Sequence, residues 1–289
     1  MSECKIKLVI PKGRILACVM KLLNDAGINI YTNDRLYRPV VDDKELEIKI
    51  MKTQNIPTLI ELGSHDAGFT GYDWIAETGA EVAELLDLKF DPVRIVAAIP
   101  KGLTMNELKA KKMIVASEYE NISKMFLQQN NLDYVFLRTY GATEVYPPDD
   151  ADMIIDNTST GQTLEEHNLT IVATILESST RFIVNRKALE DPAKAEKIEE
   201  MKLMFQAILD ARGRVMLEMN VPKDKFTDIV KALPCMRSPT VAPLYGEQGY
   251  AVKAAVKKYE VGKLIHSLRN LAQPISWNTN LKRWYYDLS

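Results

Sequence analysis

Ala151-Asp152-Met153-Ile154-Ile155-Asp156-Asn157-Thr158-Ser159-Thr160-Gly161-Gln162-Thr163-Leu164-Glu165 is the stretch on which the fold turns. Its first half is a short apolar strand that carries two acids. Its second half is small, hydroxyl-rich and glycine-bearing, and a helix is predicted over residues 160–167. Strand, loop and helix in succession are the repeating unit of an α/β sheet. Such a loop turns several backbone N–H groups toward one point at a helix N-terminus, where the dipole favours an anion. A phosphate monoester suits it. The plain alternative is an ordinary strand–turn–helix in which Thr158 or Ser159 is the N-cap.

The loop is neither a G-x-x-x-x-G-K-[ST] phosphate loop nor a G-x-G-x-x-G dinucleotide turn. Its acids precede the glycine, at the end of the strand, where they suit sugar hydroxyls or a magnesium-bound polyphosphate. One phosphate, a ribose and a metal-bound pyrophosphate together describe phosphoribosyl pyrophosphate.

Upstream, strand and helix alternate. Residues 5–10 form an apolar strand, and residues 16–26 have helical spacing that ends at Gly27. Residues 45–51 alternate as a half-buried strand, residues 55–62 read as a helix with Pro57 in its first turn, and residues 67–70 are a short strand. A mostly parallel sheet with helices on its faces is expected. A second unit has strands near 93–98, 113–117, 134–137 and 153–156 and a helix over 119–129. Residues 170–176 and 180–184 read as extended segments returning to the first unit. Two lobes joined by crossing strands make a cleft, the usual place for a ligand. A long helix over 192–211 precedes a change of pattern: strands at 214–219, 240–243 and 250–256, helices at 223–233 and 260–271, then a closing extended stretch. That is a β-α-β-β-α-β module, the split βαβ arrangement.

Composition narrows the class. With 289 residues, 46% hydrophobic and 26% charged, the chain reads as an ordinary soluble globular protein of one to three domains. A net charge of −2 gives no basic footprint for nucleic acid. No apolar run approaches the roughly 20 residues that span a bilayer, and no signal-peptide core follows Met1, so a cytoplasmic protein is expected. Cys4, Cys18 and Cys235 form no C-x-x-C and are expected as reduced thiols, with Cys18 facing a core. His65, His167 and His266 do not pair at metal-ligand spacing, which argues against zinc. No G-x-S-x-G elbow marks a nucleophilic serine.

Four motifs stand in order along nearly the whole chain: Ile10-Pro11-Lys12-Gly13-Arg14, Asp66-Ala67-Gly68-Phe69-Thr70-Gly71-Tyr72-Asp73, the loop from Asp152 to Leu164, and Ser238-Pro239-Thr240 with Pro243-Leu244. In these the chain resembles the long form of the ATP phosphoribosyltransferase family, a pentosyltransferase that opens histidine biosynthesis. The resemblance implies an α/β fold of two lobes like those of periplasmic binding proteins, with a C-terminal ACT-like (ferredoxin-like) domain. The corresponding ranges are 1–92 with 182–211 for lobe I, 93–181 for lobe II and 212–289 for the third domain. It also implies magnesium dependence, ATP and phosphoribosyl pyrophosphate as substrates, dimers and hexamers, and inhibition by histidine and AMP. The sequence departs from the family at Lys52, where an arginine is usual, at Leu271-Ala272-Gln273, and at Trp277–Tyr286. Lysine keeps the charge there but loses the planar fork that grips phosphate.

The reaction the resemblance implies is attack of adenine N1 on C1 of the phosphoribosyl group, with release of pyrophosphate. N1 has a lone pair at neutral pH, so the demand falls on positioning and leaving-group charge. Asp156, Asn157, Thr158, Ser159, Thr160, Gly161, Gln162 and Thr163 are the expected phosphoribosyl contacts, with Asp156 the ribose-hydroxyl acceptor. Asp152 shares its face, being four residues away in a strand, and is either a structural or a metal-shell acid. Lys12 and Arg14 flank Gly13 at a helix start, where cations are locally unfavourable, so they are expected to hold pyrophosphate or the ATP phosphates. Arg35 and Lys52 are further cation candidates or surface charges. Gly68, Thr70, Gly71, Tyr72 and Asp73 are expected as a nucleotide-contacting loop, with Tyr72 stacking on a base or packing in the core. Glu144, Asp149 and Asp150 are magnesium candidates or an exposed acidic turn. Asn220, Met236 and Thr240 stand where the family places its effector pocket. The competing readings are a non-catalytic two-lobed sensor and a phosphoribosyltransferase acting on another base.

Overall fold

Residues 5–32, 36–234, 238–246 and 249–271 are described by the computed structural model. The chain opens with β1 (Ile6–Pro11), α1 (Arg14–Asp25), β2 (Ile30–Tyr31), β3 (Val40–Val41), β4 (Leu46–Met51), α2 (Ile56–Glu61), β5 (Ala67–Gly71), α3 (Tyr72–Thr78) and β6 (Ala83–Asp87). It continues with β7 (Val93–Pro100), α4 (Met105–Lys109), β8 (Met113–Ser117), α5 (Glu120–Gln129), β9 (Tyr134–Arg138), β10 (Met153–Thr158), α6 (Gln162–Glu166), β11 (Leu169–Ser178), β12 (Thr180–Val184) and α7 (Pro192–Arg212). The last part holds β13 (Arg214–Pro222), α8 (Phe226–Ala232), β14 (Thr240–Pro243), β15 (Gly249–Lys257) and α9 (Val261–Leu271). Two compact units result, Met1–Leu203 and Met204–Ser289, and the division falls inside α7.

The first unit contains two five-stranded sheets, ordered β4-β1-β5-β12-β6 and β11-β7-β10-β8-β9. In each, four of the five strands run the same way and one opposes them. β1, β4 and β5 run together, but β12 lies antiparallel between β5 and β6. In the second sheet β8, β9 and β10 run together, and β7 lies antiparallel between β10 and β11. The chain leaves the first lobe by one strand and re-enters by another, and each such strand inserts against its neighbours' direction. The expectation for residues 170–176 is corrected accordingly. β11 stays in the second sheet, paired along β7, and only β12 returns. The crossover therefore falls at 178–180. β6 escaped the sequence reading because its burial barely alternates.

Packing follows from periodicity. On α1 the buried stripe is Val19, Leu22 and Leu23, an i, i+3, i+4 set. Cys18 lies off that stripe and is exposed, contrary to the expectation of a core position. Residues 68–73 are not a loop. Gly68, Thr70 and Gly71 belong to β5, while Tyr72 and Asp73 open α3. Gly68 is required by close approach: a Cβ there would stand 2.5 Å from Val9 Cγ1 and 2.7 Å from Val9 O on β1. One core of the second lobe contains Ile95, Ala97, Val115, Tyr119 and Ile155. Trp74 of α3 packs into it, so a first-lobe helix is built into the second lobe's core.

In the second unit an antiparallel sheet of order β13-β15-β14 packs with α8 and α9 around Val215, Leu217, Ile229, Val252 and Leu264. This is β-α-β-β-α with the first strand next to the third, the arrangement of a split βαβ module. The expected closing strand and the two departures, Leu271-Ala272-Gln273 and Trp277–Tyr286, lie wholly or in part outside the described residues.

Candidate functional site

Ligands of open α/β sheets bind beyond the carboxyl ends of the strands. β1 and β5 of the first sheet and β8 and β10 of the second end at one cleft within the first unit. β1 delivers Lys12 and Arg14 to it, and β5 runs into Asp73 and Trp74. β8 delivers Glu118 and Tyr119, and β10 delivers Asn157. Thr53, Gln54, Asp91 and Ser178 complete the wall.

The cations are held loosely. Lys12 Nζ lies 3.4 Å from the Tyr37 hydroxyl and 5.0 Å from that ring's centroid. Arg14 Nε lies 3.1 Å from Asp91 Oδ2. Both side chains are exposed, and such pairs contribute about 1 kcal/mol or less, so a ligand anion can displace them. Lys52 is exposed at the start of a short 3-10 turn and makes no ion pair with another described residue. Arg35 lies outside the described residues.

A chain of hydrogen bonds links the lobes. Tyr119 Oη donates to Asp73 Oδ2 at 2.8 Å, and Ser178 Oγ donates to Asp73 Oδ1 at 2.6 Å. Asp73 N–H in turn donates to Ser178 Oγ at 3.0 Å. Asn157 Nδ2 lies 3.2 Å from both Tyr119 Oη and Asp156 Oδ1, and Asn157 N–H donates to that same oxygen at 2.6 Å. The Tyr119 ring stacks on Trp74 with centroids 4.6 Å apart. Burial, reinforced by Asp73, pushes the Tyr119 phenol far up, so it remains a donor at any ordinary pH. Nearby, the buried Glu77 carboxylate accepts the Asn121 and Ile122 N–H groups at the N-terminus of α5, at 3.0 to 3.1 Å. That cap crosses from one lobe to the other.

Asp156 is pushed up to about 6 by burial. The Asn157 N–H and the Thr143 hydroxyl pull against this, and Glu118 and Glu144 add a push of their own. After Asp156 the loop folds onto its own hydroxyls. Gly161 N–H donates to Thr158 Oγ1 at 2.9 Å and Gln162 N–H to Thr160 Oγ1 at 3.3 Å. Gly161 has φ of 89°, left-handed backbone that disfavours a branched side chain. Ser159, Thr160, Gln162 and Thr163 are exposed, so the bend is open to solvent. The expectation of several amides turned to one point is corrected in part, because two of them meet threonine hydroxyls. α6 itself has five residues, so local amides matter here more than a macrodipole.

Other expected residues lie elsewhere. Asp152 precedes β10 at the end away from the loop, where it pairs with Lys111 at 2.5 Å and accepts the Ile114 N–H at 2.8 Å. It ties strands together rather than facing a sugar. Thr70 is fully buried and bonds Thr53, so it braces the cleft wall from behind. Tyr72 lies under Arg181, 5.2 Å from ring centroid to guanidinium carbon, and is not a free stacking face. Asp149 and Asp150 are exposed. In the second unit Asn220 pairs across from Ala251, and Thr240 from Lys253. Ala251 and Lys253 are two apart on β15, so Asn220 and Thr240 share one sheet face. Met236 lies outside the described residues. Glu118, Tyr119, Ser178 and Glu77 were missed from the sequence. The first two follow strand β8 as Lys12 follows β1, a strand-end signal that could have found them.

Among the described residues, no group of three or more His, Cys, Asp or Glu side chains is placed to hold a metal ion, and no helix is long and apolar enough to cross a membrane. The model of a family described as ATP phosphoribosyltransferase matches residues 52–207, and one described as HisG, C-terminal domain, matches 211–275. The ATP phosphoribosyltransferase of Chlorobium phaeovibrioides is 40% identical over 276 residues, which is 93% of each chain. That of Thermodesulfovibrio yellowstonii is 36% identical over 278 residues, 93% of this chain and 94% of its own. Among solved structures, the ATP phosphoribosyl transferase (HisG:HisZ) complex from Thermotoga maritima matches with a TM-score of 0.64 and 25% identity, covering 71% of this chain and 98% of that one. With matches over this much of its length, the chain belongs to the ATP phosphoribosyltransferase family.

Proposed function

We propose that the chain transfers the phosphoribosyl group of phosphoribosyl pyrophosphate to N1 of ATP, releasing pyrophosphate, as the first step of histidine biosynthesis. One observation carries this reading beyond family membership: Asn157, next to Asp156 at the head of the hydroxyl loop, shares a cleft with Lys12 and Arg14. In this reading Asp156 accepts from the ribose hydroxyls, and 158–163 hold the 5′-phosphate through amides and hydroxyls. Lys12 and Arg14, with Lys52 at the rim, take the pyrophosphate charge. Gly13, Gly71 and Asp73 border the nucleotide. Asp152, Gly68, Thr70 and Tyr72 support the wall rather than touch substrate.

Magnesium fits such a site as an ion carried on the diphosphate. Mg²⁺ commonly takes one or two carboxylates plus substrate phosphates. Glu118, which lines the cleft with Asn157, would hold it together with the substrate phosphates. The ion would neutralise charge on the leaving pyrophosphate. Residues 1–92 with 182–211, 93–181 and 212–289 serve as lobe I, lobe II and a regulatory ACT-like domain. Histidine binds the last near Asn220 and Thr240, AMP competes in the cleft, and the protein works in the cytoplasm as a homo-oligomer, dimer or hexamer.

The test is pyrophosphate release from ATP and phosphoribosyl pyrophosphate with magnesium. Tight binding of both without release favours the two-lobed sensor. Release supported by a free nucleobase but not by ATP assigns another phosphoribosyltransferase activity.

A further inference from the structure

A second hollow of ≈ 660 Å³ adjoins the cleft, sharing Val93 and Ser178 with it. Lys89, Arg94, Arg181 and Ser159 line it, with Asp87 and Glu177. Two of its three cations have partners. Arg181 pairs with Glu84 at 3.3 Å and with Asp87, and Lys89 pairs with Asp87. Arg94 is half-buried and, among the described residues, has neither an ion pair nor a hydrogen bond from its side chain. Register explains its place. On β7, Arg94 lies opposite Thr158 of β10 and opposite Glu177 of β11, so the three share one face of the sheet. Thr158 is the residue whose hydroxyl folds the loop at Gly161, and Ser159 of that loop borders the hollow. A guanidinium that gives up part of its hydration and meets no acceptor is costly to keep. Its planar fork of donors matches a phosphate better than any other side chain does.

We infer that Arg94 is a substrate contact that grips, from the flank of the sheet, the phosphate monoester seated on the 158–163 loop. The inference rests on the proposed use of that loop and adds a residue that no sequence motif marked. The ligand class is a sugar phosphomonoester, and the contact discriminates for its 5′-phosphate rather than for the nucleotide base. Glu177 is the nearby alternative partner, and a plain surface pair with it is the competing explanation.

The full chain carrying Arg94→Met, Arg94→Lys or Glu177→Gln is titrated calorimetrically with ribose 5-phosphate and with inorganic phosphate, and separately with ATP. Thermal unfolding is recorded alongside. Arg94→Met is expected to weaken ribose 5-phosphate binding about tenfold or more, the scale of one hydrogen bond to a charged group. Arg94→Lys should lie between it and the parent, and ATP affinity should stay within about twofold. Unchanged ribose 5-phosphate affinity in Arg94→Met overturns the inference. So does an equal loss for ATP, or a fall in melting temperature matched by Glu177→Gln without any binding change. Because the probes are binding probes, a chain that grips ribose 5-phosphate through Arg94 but releases no pyrophosphate from ATP would sink the proposed reaction and leave this contact standing.

Discussion

Replacing Asp156 with asparagine should make the protein more stable at alkaline pH while removing its activity. The carboxyl is raised from 3.8 to about 6 by burial. The folded chain therefore binds this proton more tightly than the unfolded chain does. The folded state gains from it at low pH, and that advantage disappears as pH rises from about 4 through about 6. Above that window the ionised, buried carboxylate is a net cost to folding. About two units at 1.36 kcal/mol each set an upper limit of roughly 3 kcal/mol at pH 8. Asparagine has no charge to desolvate, and its Oδ1 can still accept the Asn157 N–H now held at 2.6 Å. Urea unfolding of both proteins at pH 5 and pH 8 measures the difference. Because part of the loss has already occurred at pH 5, the gap in favour of Asp156→Asn should widen by about 1–1.5 kcal/mol between the two. A gap that is absent, or the same at both pH values, refutes the buried-charge argument. Pyrophosphate release should fall at least a hundredfold in the variant, since an anionic acceptor for the ribose is lost. In the parent protein, activity should decline as pH drops through about 6. A limb at that position surviving in the variant's residual activity would assign the titration to another group.

Gly161→Val should raise the KM for phosphoribosyl pyrophosphate and lower turnover, through backbone strain of about 1–3 kcal/mol at a positive φ rather than through crowding. The nearest atom to a Cβ there is Ile171 Cδ1 at an ordinary 3.5 Å. Near-parental kinetics would remove the loop from the phosphate site. Glu77→Ala strips the cap from α5 and leaves the Asn121 and Ile122 amides without acceptors, so a loss of about 2–4 kcal/mol is expected by denaturant unfolding. A loss below about 0.5 kcal/mol would show that water replaces the cap at no cost. A chain ending at Arg212 should escape histidine inhibition, and persistent inhibition in a rate assay would place the effector outside residues 213–289.

Strand, loop and helix in residues 151–165, the buried stripe of α1 and the β-α-β-β-α order of the second unit were legible in the sequence. They follow from periods of two and 3.6 residues and from turn chemistry, which are properties of neighbouring positions. The motif residues Lys12, Arg14 and Asp156 were legible for a related reason, since each lies near or just beyond the carboxyl end of a strand. Tertiary structure alone decided which acids were free. Asp152 and Asp156 look alike along the chain, yet Lys111 claims the first, and burial raises the second. It alone brought Tyr119 between Asp73 and Asn157, which lie 46 and 38 residues from it. It also set β7 and β12 against their neighbours and left Arg94 beside the loop without a partner among the described residues. Such pairings depend on how the chain crosses between two sheets, and a local window contains no measure of that path.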